Sequence, residues 1–315
     1  MRLLLLITAL MTLAACSQEP SKPVTIAINP WPGYEPLYLA EFKGFFKAQK
    51  LDIKLVQLAS LSDVQLAYSN RHVDGMASTA VEAVQVNFLG SKPNKIVLVP
   101  DYSNGGDVII AGKQVVSMSD LKGKKVGAEV TSLGIFLLER ALGKHHMSLT
   151  DVEVVNIDQA EAKASLESGA IDALVTYPPF SIQIAASDDY RTIFTSAEIP
   201  KEIIDVVSLS EETIQKHPGL VAKLHKAWQM ALDYMRDNPE DAYQIMAQRE
   251  GISAAEFEAS LTDLIFLDSQ EQRALLSADS RLQSSMQAVC TTLVAVRSIE
   301  GPCSKLPNLI YPVAK

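Results

Sequence analysis

From Val24 onward, short apolar runs alternate with helix-length amphipathic stretches, and this alternation is the strongest restriction on how the chain can fold. Strand-length runs separated by helices cannot pair through tight hairpins; they join as crossover units with helices covering both faces of largely parallel sheets. Strands are expected over residues 24–29, 51–58, 75–77 and 96–100, and helices from about Pro36, over 62–69 and over 79–88. The alternation continues with strands over 108–111, 125–128, 152–156 and 173–175, and helices over 132–142 and 158–167. From Ser210 the chain is expected to be helical to its end, broken at Asn238-Pro239, with capping boxes at Ser253/Glu256 and Ser269/Gln272. His217 and His225 are expected on a solvated helix face.

Composition narrows the function. The 315 residues are 48% hydrophobic and 21% charged, enough apolar material for a large core. The 28 Lys+Arg against 37 Asp+Glu leave a net charge of -9 with no basic block, which argues against a nucleic-acid partner.

The N-terminus reads Met1-Arg2, an apolar run over 3–15, and then Cys16. Thirteen helical residues rise about 20 Å, short of the roughly 30 Å hydrocarbon core, so this is the pattern of a secretion signal and not of a membrane span. Leu13-Ala14-Ala15-Cys16 resembles the bacterial lipobox. The resemblance implies a signal peptide over 1–15, lipidation of Cys16, and a tether over 16–22 that holds a folded body at the membrane. Cys290 and Cys303 then remain as a pair in an oxidising compartment, expected to form a disulfide. No CxxC spacing or nearby His supports a metal or redox role for them.

Five segments carry a wider resemblance: Pro36-Leu-Tyr-Leu-Ala40, Asp74-Gly-Met-Ala77, Asp120-Leu-Lys-Gly-Lys-Lys-Val-Gly127, Gly169-Ala-Ile-Asp-Ala173 and Asn238-Pro-Glu-Asp-Ala242. In this order and spacing they resemble the periplasmic substrate-binding components of ABC transporters, in the nitrate/sulfonate/taurine branch that also holds the thiamin-pyrimidine binders. The tail beyond Leu275 shows no family pattern. The resemblance implies an α/β, two-lobed type II periplasmic binding protein fold whose ligand cleft closes by hinge motion. Crossing strands are expected near 103–108 and 205–209, making residues 23–104 and 208–315 one lobe and 105–207 the other. It also implies a monomer facing the periplasm that captures a small molecule for an ABC permease of the inner membrane.

In open parallel sheets, ligands sit at the carboxyl ends of strands. That rule selects loops 31–35, 60–63, 77–79, 102–107, 130–132 and 176–178, the same loops that carry ligand contacts in the resembling family. Trp31, Tyr34, Tyr102 and Tyr177 cluster there although aromatics are only 6% of the chain, and such rings suit a flat or ammonium-bearing ligand. Ser78, Thr79, Thr131 and Ser132 stand at helix starts, where free N–H groups favour an acidic ligand group; the alternative is plain N-capping. Ser60, Asn104 and Thr176 complete the polar set. None of the six loops carries Lys or Arg, whereas Glu35, Asp63 and Asp107 are present. This balance favours an amine, amino-sulfonate or other zwitterion over a simple anion.

A nucleophile with its base, a metal set or a cofactor cradle is not recognisable in the chain. The distantly similar pyrimidine-synthesising enzymes use a Cys-rich iron site, and three assigned Cys leave nothing to build one. The expectation is a binding protein without cofactor, metal or catalysis. Its alternative is a ligand-binding sensor subunit that signals to a membrane receptor, either a kinase or a cyclic-dinucleotide enzyme.

Overall fold

The computed structural model describes residues 22–277 and 281–313. The expected leader, the expected lipidation at Cys16 and the expected tether fall on residues up to 22, of which those up to 21 lie outside the described residues. The chain opens with β1 (Val24–Ile28), helix α1 (Glu35–Phe42), the single turn α2 (Phe45–Ala48), β2 (Ile53–Gln57), α3 (Leu61–Ser69), β3 (Gly75–Thr79), α4 (Ala80–Gln85) and β4 (Asn94–Leu98). A short β5 (Asp101–Ser103) leads to a second set: β6 (Val108–Gly112), β7 (Lys125–Ala128), α5 (Leu133–Lys144), β8 (Glu153–Asn156), α6 (Gln159–Glu167), β9 (Ala173–Thr176), α7 (Phe180–Ala185) and β10 (Tyr190–Thr195). Strand β11 (Asp205–Ser210) precedes the tail of α8 (Glu211–Lys216), α9 (Leu220–Asp237), α10 (Pro239–Glu250), α11 (Ala254–Leu261), β12 (Leu264–Phe266), α12 (Ser269–Leu275) and α13 (Arg281–Ala295).

Two five-stranded sheets organise two lobes, in the orders β2-β1-β3-β11-β4 and β10-β6-β9-β7-β8. Local sequence chose their parallel parts: β1 pairs in parallel with β2 and β3, and β7 with β8 and β9. The expectation of largely parallel sheets needs correction, because β11 runs antiparallel to β3 and β4, and β6 antiparallel to β9 and β10. Both exceptions are strands reached by chain that has left the other sheet. Such a strand arrives from the opposite direction, and no local hydrophobic period records that.

The C-terminal part departs from an all-helical reading in three places. Leu264 to Phe266 is extended and pairs antiparallel with β5. Asp268, not Ser269, caps α12, accepting from the backbone N–H groups of Gln270 and Glu271, while the Ser269 hydroxyl donates to Gln229 at 2.8 Å. His225 is buried and its Nε2 lies 2.6 Å from the Val97 carbonyl, so the helix face assigned to solvent is packed against β4. On the same helix Leu224, Ala227, Trp228 and Ala231 form the apolar stripe, with Trp228 Nε1 donating to Leu267 at 3.1 Å.

Two fastenings hold the tail. Cys290 of α13 is joined to Cys303 by a disulfide, Cα–Cα 5.8 Å, and α13 lies against α4. Arg249 of α10 grips the fully buried Glu35 of α1 through two bonds, Nε–Oε2 at 2.8 Å and Nη2–Oε1 at 3.2 Å, and stacks over the Tyr38 ring. Glu250 is buried beside this pair, so one guanidinium serves two carboxylates whose burial pushes both of them up.

Replacing Cys290 by Ser removes a loop constraint worth about 3 kcal/mol in the chain-entropy model, and urea unfolding should show a loss of that order. Arg249→Met leaves Glu35 and Glu250 without a cation and should cost about 3 kcal/mol at pH 8. Protonation of the two carboxyls relieves the repulsion in acid, so the same unfolding measurement at pH 5 should show a smaller loss.

Candidate functional site

The carboxyl ends of β1, β3 and β9 converge with the start of β11 and the N-terminus of α5. They enclose a cavity lined by Asn29, Trp31, Tyr34, Leu61, Thr79, Asp107, Leu133, Tyr177 and Asp205. Its volume of about 10 Å³ matches roughly one water molecule, so an organic ligand requires the walls to part. Two glycines let the aromatic wall form. A Cβ on Gly33 would stand 2.0 Å from Asp101 Oδ2 and 2.5 Å from Trp31 Nε1, and one on Gly106 would stand 2.8 Å from the Trp31 ring. Trp31 meets Tyr177 edge to face, centroids 6.1 Å apart, and its Nε1 points at Asp101 Oδ2 at 3.4 Å.

Behind the rings lies a carboxylate cluster. Tyr34 donates to Asp205 Oδ1 at 2.5 Å, and Asp101 acts on Asp205 through its charge. Burial pushes Asp101 up to about 8 and Asp107 up to about 7. Asp205 is raised too, by burial first and then by the charges of Asp101 and Asp107. Among the described residues no Lys or Arg bonds to any of the three. Asn29 Oδ1, Asp101 Oδ1, Asp107 Oδ2 and Asp205 Oδ2 are buried acceptors without a donor. Buried carboxyl and amide oxygens left unpartnered in this way are expensive in isolation and suit a guest that brings donors.

A second acidic pair spans the seam between the sheets. Glu82 of α4 accepts from Thr79 N at 2.8 Å and Thr79 Oγ1 at 2.6 Å through Oε2, and from Leu133 N at 2.8 Å through Oε1. Burial nevertheless lifts Glu82 to about 7, and Glu129, reached by Gln159 Nε2 at 3.3 Å, also to about 7. At the rim, Ser62 and Thr131 hydroxyls meet across the seam at 3.0 Å.

Of the residues singled out in the sequence, the structure brings Trp31, Tyr34, Thr79, Asp107 and Tyr177 to the cavity. Glu35 does not reach it, because Arg249 holds it on the far side of α1. Tyr102 lies on β5 and faces a separate surface cleft with Lys201 and Arg281, its strand being tied to β12. Asn104 is drawn to α11 through its backbone N–H, which donates to Asp263 O at 2.8 Å. Ser78 is buried and donates to Thr79 O, Ser60 caps α3, and Thr176 donates to Gln159 at 2.8 Å beneath the site. Thr131 is exposed at the rim and Ser132 is buried at the start of α5.

The sequence reading passed over Asn29, Asp101, Asp205, Glu82 and Glu129. Asn29 and Asp205 were readable as the ends of predicted strands. Glu82 looked like an ordinary helix-start acid, and only its contact with Leu133, 51 positions away, marks it out.

The fold is that of periplasmic binding proteins. The periplasmic aliphatic sulphonate binding protein SsuA from Escherichia coli superposes with a TM-score of 0.75 at 15% identity, covering 94% of each chain. The periplasmic nitrate-binding protein NrtA from Synechocystis gives 0.71 at 13% identity, covering 90% of this chain and 83% of the other. In sequence, a Brucella abortus chain named as a binding protein is 28% identical over 206 residues, and this chain spans 62% of that relative's length and of its own. A Saccharomyces cerevisiae relative, named 4-amino-5-hydroxymethyl-2-methylpyrimidine phosphate synthase THI13, is 24% identical over 239 residues, 70% of this chain and 69% of its own. That relative corrects the expectation of a protein without catalysis: a chain alignable with 70% of this one is named as an enzyme. Residues 31–242, which hold the two five-stranded sheets apart from β1 and the cavity walls apart from Asn29, match the model described as NMT1/THI5 like, and the chain belongs to that family.

Proposed function

We propose that this chain is a solute-binding protein of the cell envelope that encloses a small, positively charged organic ligand between its lobes and hands it to an ABC permease. An amine, an amino-sulfonate or another zwitterion is the favoured class. The observation that carries this reading is the buried cluster of Asp101, Asp107 and Asp205 beside Trp31 and Tyr177, each carboxyl keeping an unpartnered oxygen and none bonded to a Lys or Arg among the described residues. A ligand ammonium or protonated ring supplies the missing donors and gains from the aromatic faces. The fold shared with sulphonate- and nitrate-binding periplasmic proteins and the Brucella relative named as a binding protein support capture and hand-over. In this reading residues 23–104 with 208–315 and residues 105–207 are the lobes that part to admit ligand. Export by the leader, anchoring at Cys16 and a monomeric body complete it.

The first test is thermal unfolding of the residue 17–315 protein against amines, zwitterions, pyrimidines, sulfonates and nitrate. A ligand at a hundred times its Kd adds about 2.7 kcal/mol, a rise of several degrees, and this is expected with the cationic and zwitterionic compounds. A rise with nitrate or simple sulfonates alone refutes the assigned class. Against the best compound, Trp31→Ala and Asp107→Asn should each raise Kd at least about tenfold by calorimetry while leaving circular dichroism unchanged.

The raised carboxyls also set a pH signature. Their folded-state values exceed the ordinary value of about 4, so the folded protein holds more protons than the unfolded one between about pH 4 and 8. The ligand-free protein should therefore lose stability as pH rises through that window. A cation needs the ionised form, so its affinity should climb by up to about tenfold per pH unit through pH 7 to 8, with proton release in calorimetry. Affinity that falls with rising pH contradicts a cationic guest.

A further inference from the structure

We infer that Glu82 is a built-in anion: on lobe closure its carboxylate fills the N-terminus of α5, so that seat is closed to sulfate, methanesulfonate and similar simple oxyanions. This rests on the proposed enclosure of ligand between the two sheets, and it adds the residue that closes this seat.

A twelve-residue helix such as α5 presents free N–H groups and the positive end of its dipole at its first turn, a ready seat for an anion. Its own N-cap does not fill that seat. Ser132 makes no side-chain cap bond, and its hydroxyl is completely buried without a partner. The missing cap comes from the other lobe, where Glu82 Oε1 accepts from Leu133 N at 2.8 Å. The second oxygen is committed on its own side, to Thr79 N and Thr79 Oγ1, in the capping box of α4. One carboxylate is therefore satisfied by donors from both lobes, and only when they are together.

A bound oxyanion makes the same demand that Glu82 already meets. With Glu82 in place, a second anion at Leu133 N and Ser132 Oγ would face its charge and that of buried Glu129, whose own ionisation Glu82 opposes. Asp107 on the cavity wall, raised only to about 7, adds repulsion of the same sign at pH 8. Removing the Glu82 carboxylate frees the Leu133 N–H beside the idle Ser132 hydroxyl and opens the space to hold an oxyanion.

The test uses sodium sulfate and sodium methanesulfonate as probes at pH 8 and constant ionic strength, where Glu82 is ionised despite burial that lifts it to about 7. Thermal shift and calorimetry should detect no binding to the unaltered protein. Glu82→Ala should bind at least one probe at least about tenfold more tightly than the unaltered protein, and scattering should show the lobes opening without the probe and closing with it. Glu82→Gln keeps the Thr79 bonds and the side-chain volume but carries no charge. It should show a smaller gain, and it carries the test if the Ala variant does not fold. Equal oxyanion binding by the unaltered protein, or no gain in a folded variant, overturns the inference. The amine panel on the unaltered protein judges the ligand class separately, so a failed amine screen with a gained oxyanion site would remove the proposed ligand class and leave the role of Glu82 standing.

Discussion

A carboxylate taken out of water costs several kcal/mol unless donors or a counter-charge meet it, and this protein sets Glu82, Asp101, Asp107, Glu129 and Asp205 along one seam between its sheets. Each is buried, and burial is the leading cause of the raised proton affinity of every one. They are met differently. Glu82 is fully supplied by Thr79 and Leu133, whereas Asp107 and the Asp101–Asp205 pair keep acceptor oxygens with nothing to accept. The satisfied group joins the lobes and the unsatisfied ones define what the cleft lacks. Elsewhere the chain meets a buried carboxylate with a cation, since Arg249 forks onto Glu35 outside the cleft, while the neighbouring Glu250 stays raised by its burial.

The architecture exists to bring those groups together. Strand β3, buried along its length, delivers Thr79, and β11 delivers Asp205 directly opposite it in the antiparallel register. The turn after β1 delivers Trp31 and Tyr34, and Gly33 and Gly106 leave the room that the indole ring occupies. From the other sheet come Tyr177 beyond β9 and the amide end of α5. The segments joining the sheets, near Ser103 and Ser196, are themselves bonded hydroxyl to hydroxyl at 2.8 Å. In the proposed opening of the lobes, the turn would pass through this hydrogen-bonded joint, and the Glu82–Leu133 and Ser62–Thr131 contacts would break.

Much of this was legible before any coordinates. The β/α alternation located eight of the twelve strands to within two residues, because a buried strand in an α/β sheet has to be a short apolar run, whereas the short β5 and β12 and the more exposed β10 went unread. Ser60, Ser210 and Ser253 were readable as caps because capping is chemistry within four residues. Where the reading slipped, the competing partner was remote: Gln229 drew Ser269 off its cap, Val97 drew His225 into the core, and Asp101 to Ser103 turned Leu264 to Phe266 into a strand.

The cleft divides the same way. From residue type and strand position the α/β class was readable, and so were the loops that hold Trp31, Tyr177 and Asp107, which line the cavity; of the other acids read there, Glu35 went to Arg249. Only the tertiary structure decided that Glu35 belongs to Arg249, that β11 and β6 run antiparallel to their neighbours, and that Glu82 caps a helix in the other lobe. The physical reason is range. Propensity and capping act within a turn or a strand, whereas the partner of a buried charge is chosen by whichever donor the folded chain brings within about 3 Å, from any distance along the sequence.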